Sequence, residues 1–356
     1  MVVGENNMKW NRLLVDEAFY DEYNFTEADV MVSAATNANV SVRGHVLIWG
    51  RSPGSTYPES VLTAVQASSD PQATVREIMR NHIKAVTEHF KGSVDVWDVV
   101  NEHLTSQVDS NIFYTTLGDD YVKLSFEFAR EFLPDDTKLV WNEALSEFAL
   151  DNPNIAWWLD TLKKYKEEGV PIDGIGVQGH TINSLHDTDQ LAIFLQTVAD
   201  MGFDIELTEV DARIGVFLDQ PDPFVAQGEY LRKYSEACIH TGRCVGVTFW
   251  GLSDRITWLD WIFPQTKPNL PLLLDEEGYE KPAWLGVRTA LEESASTGAI
   301  NTSSDPTVDP PLDDGEGNGS SYPTSAGRNN CLVSAWISLL AGVSLLFRQS
   351  STTQCE

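Results

Sequence analysis

The sequence predicts an α/β protein whose parallel strands close into a (β/α)8 TIM barrel, and three observations carry that prediction. Short apolar strand patterns alternate with amphipathic helix patterns from the first residues to about residue 293. Such alternation makes neighbouring strands parallel, because each helix carries the chain back across the sheet, and this many repeats favour a closed barrel over an open sheet. Polar and charged residues also collect where the strand patterns stop, the face on which such barrels assemble their sites.

The elements follow in order. Only a strand stump fits before Glu5. Thr26, with Asp29 three residues on, reads as an N-cap, and Met31, Ala34, Ala35 and Ala38 follow at helical spacing. Residues 40–49 read as a strand, and Val75, Ile78, Met79, Ile83, Val86 and Phe90 mark one face of a helix over 71–90. Strands over 94–100, 138–142, 174–178, 204–210 and 245–250 come next. Between them Tyr121, Leu124, Phe128 and Phe132, then Ile155, Trp158, Leu162 and Tyr165, then Leu191, Phe194, Leu195 and Val198, then Tyr230, Tyr234 and Ala237 mark helices, and a last helix spans 281–293. Six strands are clear. A closed barrel needs eight strand-helix units of roughly 30 residues each, so a first unit and most of the second strand are expected to be missing before Gly4, leaving the barrel N-terminally truncated as written.

Composition bounds the partners. A formal charge of −29 and a pI near 4.4 exclude a nucleic-acid partner, since that affinity rests on Lys and Arg neutralising phosphates. A neutral polymer is not repelled, and 11 Trp with 10 Tyr supply flat faces that suit sugar rings, although most of these rings belong to the core. Cys238 and Cys244 flank a short stretch containing Gly242 that can close a disulfide, whereas Cys331 and Cys355 lie in the tail. That bridge implies an oxidising, extracellular or cell-surface location, although the sequence as written opens without a charged-then-apolar signal peptide.

The barrel domain is expected over 1–298, followed by a Ser/Thr/Pro/Asp/Gly-rich linker over 299–330 and a hydrophobic tail over 331–356. The apolar run 332–347 spans about 24 Å as a helix, short against a hydrocarbon core of about 30 Å. A small-residue region, polar spacer and apolar tail resemble a GPI signal, while the polar residues 348–356 depart from it. Anchor signal and short membrane helix both stay open, and membrane attachment through the tail is expected. Asn24, Asn301 and Asn318 begin glycosylation motifs.

Two stretches carry the chemistry. Trp97-Asp98-Val99-Val100-Asn101-Glu102 is an apolar strand ending abruptly in Asn and Glu, and Ile205-Glu206-Leu207-Thr208-Glu209-Val210-Asp211 has the same form. Glu102 and Glu209 are therefore candidates for a paired-carboxylate site. Lys9, His45, Trp49, Asn142, Gln178, His180 and Trp250 also sit at or just beyond strand ends. One His or Gln in such a place is more often a packed core group; the coincidence of all of them with two carboxylates points to carbohydrate chemistry. The seven His show no His-Glu-x-x-His helix, and His82 with His89 falls on an ordinary amphipathic helix, so no metal and no cofactor is expected. A non-catalytic sugar-binding protein is the rival reading, and it has no need of the carboxylate pair.

From Glu5 to about Leu291 the chain resembles glycoside hydrolase family 10, the endo-β-1,4-xylanases. The motifs are Glu5-Asn6-Asn7-Met8-Lys9-Trp10, Arg43-Gly44-His45-Val46-Leu47-Ile48-Trp49, Trp97 to Glu102, Gly176-Val177-Gln178-Gly179-His180, Leu207 to Asp211, and Thr248-Phe249-Trp250-Gly251-Leu252-Ser253-Asp254. The resemblance implies a retaining endo-glycosidase that cuts the β-1,4-linked xylan backbone through a covalent glycosyl-enzyme, as a monomer; another β-1,4-glycan, or an impaired carbohydrate-binding descendant, is the alternative. It assigns Glu102 as acid/base and Glu209 as nucleophile. Glu5, Asn6, Lys9, His45, Trp49, Asn101, Gln178, His180, Trp250 and Trp258 match sugar-contacting positions, with Asp211 orienting His180. Retention needs carboxyls about 5 to 5.5 Å apart. His180 is expected to keep Glu209 charged, and apolar neighbours with the nearby anion to keep the proton on Glu102. Gly50 departs from the family's usual His, Ala144-Leu145 from Tyr-Asn, and Glu143 from Asp, all on the leaving-group side.

Overall fold

A two-residue strand, β1 (Val2–Val3), is the anticipated stump and runs parallel to β2 (Val42–Ile48) in this computed structural model, which describes residues 1–297. The expected linker and tail, with Cys331, Cys355, Asn301 and Asn318, lie outside the described residues. Helix α1 (Thr26–Asn37) connects β1 to β2. Helices α2 (Glu59–Ala67) and α3 (Pro71–His89) lead to β3 (Val96–Asn101), and α4 (Ile112–Leu117) with α5 (Asp120–Phe132) leads to β4 (Lys138–Glu143). Then come α6 (Pro153–Glu167), β5 (Gly174–Val177), β6 (His180–Thr181), α7 (Thr188–Asp200), β7 (Asp204–Ala212), α8 (Pro223–Ile239), β8 (Cys244–Phe249), α9 (Leu259–Ile262) and α10 (Pro282–Thr297).

Among the described residues all strand ladders are parallel, in the order β1-β2-β3-β4-β5-β7, with β8 on β7 and β6 pairing the far end of β7. β5 and β6 are one course broken at Gly179, whose φ of 83° only glycine adopts without strain. Among the described residues no ladder joins β1 to β8. The order is that of a (β/α)8 barrel wall with helices outside, as expected from the alternation.

Local chemistry explains the element limits. Asp70 caps α3 by accepting the Ala73 N–H at 3.1 Å, Pro71 opens it, and Val75, Ile78, Met79, Ile83 and Val86 are buried against the sheet. Each such side chain contributes about 1.5 to 3 kcal/mol through burial, so Ile83→Ala alone costs about 2 to 5 kcal/mol once the cavity is included. Thr26 is not the N-cap: it is already helical, and Asn24 Oδ1 accepts its N–H at 3.1 Å and its hydroxyl at 2.7 Å. Helices α2 and α4 were not anticipated, being too short for a periodic apolar stripe. Asn111 makes α4 by accepting the N–H groups of Phe113 and Tyr114 at 3.0 and 3.1 Å.

The barrel interior is not wholly apolar. Arg43 on β2 is buried, donating to Asp98 on β3 at 3.0 and 2.5 Å and to Glu206 on β7 at 2.5 Å, and Thr248 on β8 donates to Glu206 at 3.2 Å. The charges satisfy one another where any one alone would be prohibitive. Cys238 at the end of α8 is bonded to Cys244 at the start of β8, with Cα atoms 5.3 Å apart.

Candidate active site

The strand ends converge on one cleft of about 380 Å³. Register shifts, the mark of bulges that re-aim side chains, fall between Asp98 and Val100 on β3 and between Leu207 and Val210 on β7, just where Glu102 and Glu209 are presented. Glu102 follows the last residue of β3 with φ at 58°, a left-handed backbone that a residue with a Cβ holds only when its surroundings impose it. Its N–H donates to Asn142 O at 2.9 Å.

The two carboxylates differ in their partners. Glu209 is 4% exposed; Asn142 Nδ2 donates to its Oε1 at 2.7 Å, and His180 Nε2 lies 3.2 Å from its Oε2. The other ring nitrogen of His180 is 2.9 Å from Asp211 Oδ2, to which Trp258 Nε1 also donates at 2.8 Å. Burial alone would lower His180, but Asp211 and Glu209 push it up to about 10, so the ring is an imidazolium at neutral pH. Burial alone would raise Glu209; the His180 hydrogen bond and the neighbouring His45 outweigh it and hold the carboxyl below its usual range.

Glu102 is not in the apolar surroundings expected of it. Gln178 Nε2 donates to Oε1 at 3.0 Å, while Trp49 Nε1 and Arg51 Nη1 donate to Oε2 at 3.2 and 3.1 Å. Behind it stands Glu143, fully buried, whose carboxyl burial pushes up to about 8 against the pull of the Trp141 and Leu104 N–H donors. Asn101 joins the two sides: its Oδ1 accepts from Asn142 at 2.9 Å and Gln178 at 3.2 Å, while its Nδ2 is buried with no protein partner.

The comparisons with known proteins agree with this geometry. The model of glycosyl hydrolase family 10 matches residues 1–290. The chain belongs to glycosyl hydrolase family 10. It is 31% identical over 294 residues to endo-1,4-beta-xylanase 1 of Humicola insolens, covering 82% of this chain and 65% of that relative. It is 30% identical over 303 residues to endo-1,4-beta-xylanase 2 of Aureobasidium pullulans, covering 82% and 79%. Among solved structures, xylanase 10B of Thermotoga petrophila in complex with xylobiose superimposes with a TM-score of 0.69 at 29% identity, covering 82% of this chain and 85% of that one.

Within this family 10 barrel, Lys9, His45, Trp49, Asn101 and Gln178 line the cleft together with the two glutamates. So do His180, Trp250 and Trp258, the Trp258 ring 4.8 Å from His180 and the Trp250 ring 5.3 Å from His45. Asp211 stands behind, reaching the cleft through His180. Glu5 and Asn6 stand beside Lys9. Asn6 Oδ1 accepts from Lys9 Nζ at 3.0 Å, and Glu5 is raised by burial, with Lys9 opposing and Glu209 and Asp211 adding to it.

Sequence reasoning missed Arg51 altogether and left Asn142 as one strand-end residue among many. The signal for Asn142 was its pairing with Asn101 across the β3–β4 ladder, which only the register supplies. Gly50, the departure from the family pattern, is explained by packing: a Cβ there would stand 2.3 Å from Asn111 Oδ1.

Proposed function

We propose that this family 10 enzyme is a retaining endo-1,4-β-xylanase in which Glu209 is the nucleophile and Glu102 the acid/base. The observation that carries the assignment is the asymmetry of the two carboxylates. Glu209 is held ionised by an imidazolium and an amide, as a nucleophile must be, while Glu102 stands on a turn facing it across Asn101 and Gln178. In the first step a Glu209 oxygen attacks the anomeric carbon, the glycosidic C–O bond breaks, and Glu102 gives its proton to the departing oxygen. In the second step Glu102 takes a proton from water, whose oxygen displaces Glu209 from the sugar. The unpartnered Asn101 amide supports a hydrogen bond to the sugar hydroxyl beside the reacting carbon, and Trp250 and Trp258 wall the ring.

The polymer is read as xylan because the relatives are xylanases and the cleft is short of cations: Lys9 and Arg51 are the only Lys or Arg side chains lining it among the described residues. The Cys238–Cys244 bridge supports an extracellular location, with the catalytic barrel over 1–298 followed by a linker and a hydrophobic anchor or GPI-signal-like tail. No helix among the described residues is long and apolar enough to cross a membrane.

The purified full chain, assayed on xylan, mannan and cellulose, is expected to release xylo-oligosaccharides alone. Glu209→Ala should abolish turnover of every substrate. Glu102→Ala should spare kcat/KM on aryl xylobiosides with activated leaving groups while losing about 10²- to 10⁴-fold on xylan, the usual worth of a general acid. Equal loss on both substrates in Glu102→Ala would remove the assignment.

A further inference from the structure

Glu143 is the last residue of β4, and nothing in the reaction above uses it. Its carboxyl is fully buried and surrounded by donors: Trp141 Nε1 at 2.7 Å, and the backbone N–H of Leu104 at 3.2 and 3.3 Å from its two oxygens. Leu104 lies two residues after Glu102. The chain leaves β3 through a residue with φ at 58°, and that left-handed step turns the following N–H groups away from the β3–β4 ladder and onto Glu143. On the other side of the turn, Glu102 N–H is tied to Asn142 O at 2.9 Å. Adjacent residues of β4 therefore grip the peptide on both sides of Glu102.

A side chain with a Cβ does not keep a left-handed backbone unaided. Within the turn itself, Ser106 N–H donates to His103 O at 3.0 Å, while the bond from Thr105 Oγ1 to Glu102 O at 3.4 Å is at the limit of a hydrogen bond. Glu143 thus supplies the acceptor for the Leu104 N–H, fixed in its own place by Trp141 and by a backbone bond from Gln178 N–H to Glu143 O at 3.0 Å.

We infer that Glu143 is a positioning residue for proton transfer: its carboxyl clamps the Leu104 backbone and so holds Glu102 in the left-handed conformation that delivers its carboxyl to the cleft. This rests on reading Glu102 as the acid/base. A loosened turn misplaces the proton donor and leaves the nucleophile untouched, because the contacts of Glu209 run through Asn142 and His180. The defect must therefore depend on how much the leaving group needs a proton.

The test compares wild type, Glu143→Gln and Glu102→Ala. The amide keeps the side-chain volume but presents an NH2 to a backbone donor that now bonds both oxygens. Glu143→Gln should lower kcat/KM on xylohexaose at least tenfold and on 2,4-dinitrophenyl xylobioside less than threefold, and azide should raise its kcat on the aryl substrate by acting as a nucleophile that needs no general base. In the double variant with Glu102→Ala, Glu143→Gln should add no further loss on xylohexaose. Equal losses on both substrates with no response to azide would overturn the inference and leave Glu143 a structural residue. If Glu102→Ala itself shows no dependence on the leaving group, the acid/base assignment fails instead, so the two failures are told apart. Should Glu143→Gln not fold, Glu143→Asp decides: its carboxyl stops one methylene short of Leu104, a smaller loss of the same selective kind is expected, and its absence refutes the clamp.

Discussion

Asn142→Ala is the perturbation whose size the site geometry lets one work out. Asn142 is fully buried, and its Nδ2 donates to Glu209 Oε1 at 2.7 Å and to Asn101 Oδ1 at 2.9 Å, while its Oδ1 accepts from Thr208 Oγ1 at 2.6 Å. Truncation removes all three bonds, and two of them bear on the reacting groups: one to a charged group, worth about 1.5 to 3 kcal/mol, and one to a neutral amide, worth about 1 kcal/mol. If both act on the geometry of the first step, the barrier rises by about 3 kcal/mol and kcat/KM falls about 100-fold. The loss should be the same on xylohexaose and on an activated aryl xylobioside, because both need a correctly aimed Glu209. Steady-state kinetics on the two substrates, with a thermal midpoint to establish that the variant is folded, is the assay. A loss under about threefold, or one confined to the poor leaving group, would refute the claim that Asn142 aims the nucleophile.

Other outcomes follow from the same contacts. His180→Asn removes the imidazolium that holds Glu209 down, so the acidic limb of the kcat/KM profile should move to higher pH; a limb that stays in place would show that another group sets it. In wild type, His180 is raised to about 10, so the stability it contributes is complete below the ordinary imidazole range and drains away as pH rises through about 10, which urea midpoints from pH 6 to 11 would follow. Arg43→Met strands two buried carboxylates and should cost about 3 to 5 kcal/mol, lowering the thermal midpoint by about 10 °C; an unchanged midpoint would contradict the ion network. Cys238→Ser opens a short loop and should cost about 2 kcal/mol by the loop-entropy relation, read as a midpoint drop that reductant no longer deepens.

What was legible in the sequence, and what was not, divides along a physical line. Helix α3 was readable because 19 residues carry a complete apolar stripe behind a capping Asp70, and the strand into Glu102 because an apolar run breaks off at a carboxylate. Those signals are local. Helices α2 and α4 were not readable, since nine and six residues give no stripe and α4 depends on the Asn111 cap. Asn142 was visible only as one strand end among several and Glu143 only as a departure from the family's Asp, while Arg51 carried no signal, because the contacts of all three are made by strand register and chain crossing rather than by spacing along the chain. Asp98 and Glu206 did carry a signal, an acid in the middle of an otherwise apolar strand, whose meaning lay in an arginine up to 163 positions away.

That arginine ties the fold to the site. Arg43 grips Asp98, and Asp98 Oδ2 is also 2.9 Å from Nδ1 of His45, whose ring forms a wall of the cleft 5.3 Å from Trp250. A barrel floor rebuilt with apolar residues of equal volume would be about as stable, because buried ion networks often only break even with hydrophobic packing. It would, however, free the ring of His45 to turn, and with it a cleft wall that also helps to hold Glu209 ionised. The charges inside this barrel are therefore better explained by the orientation of the site above them than by the stability they add.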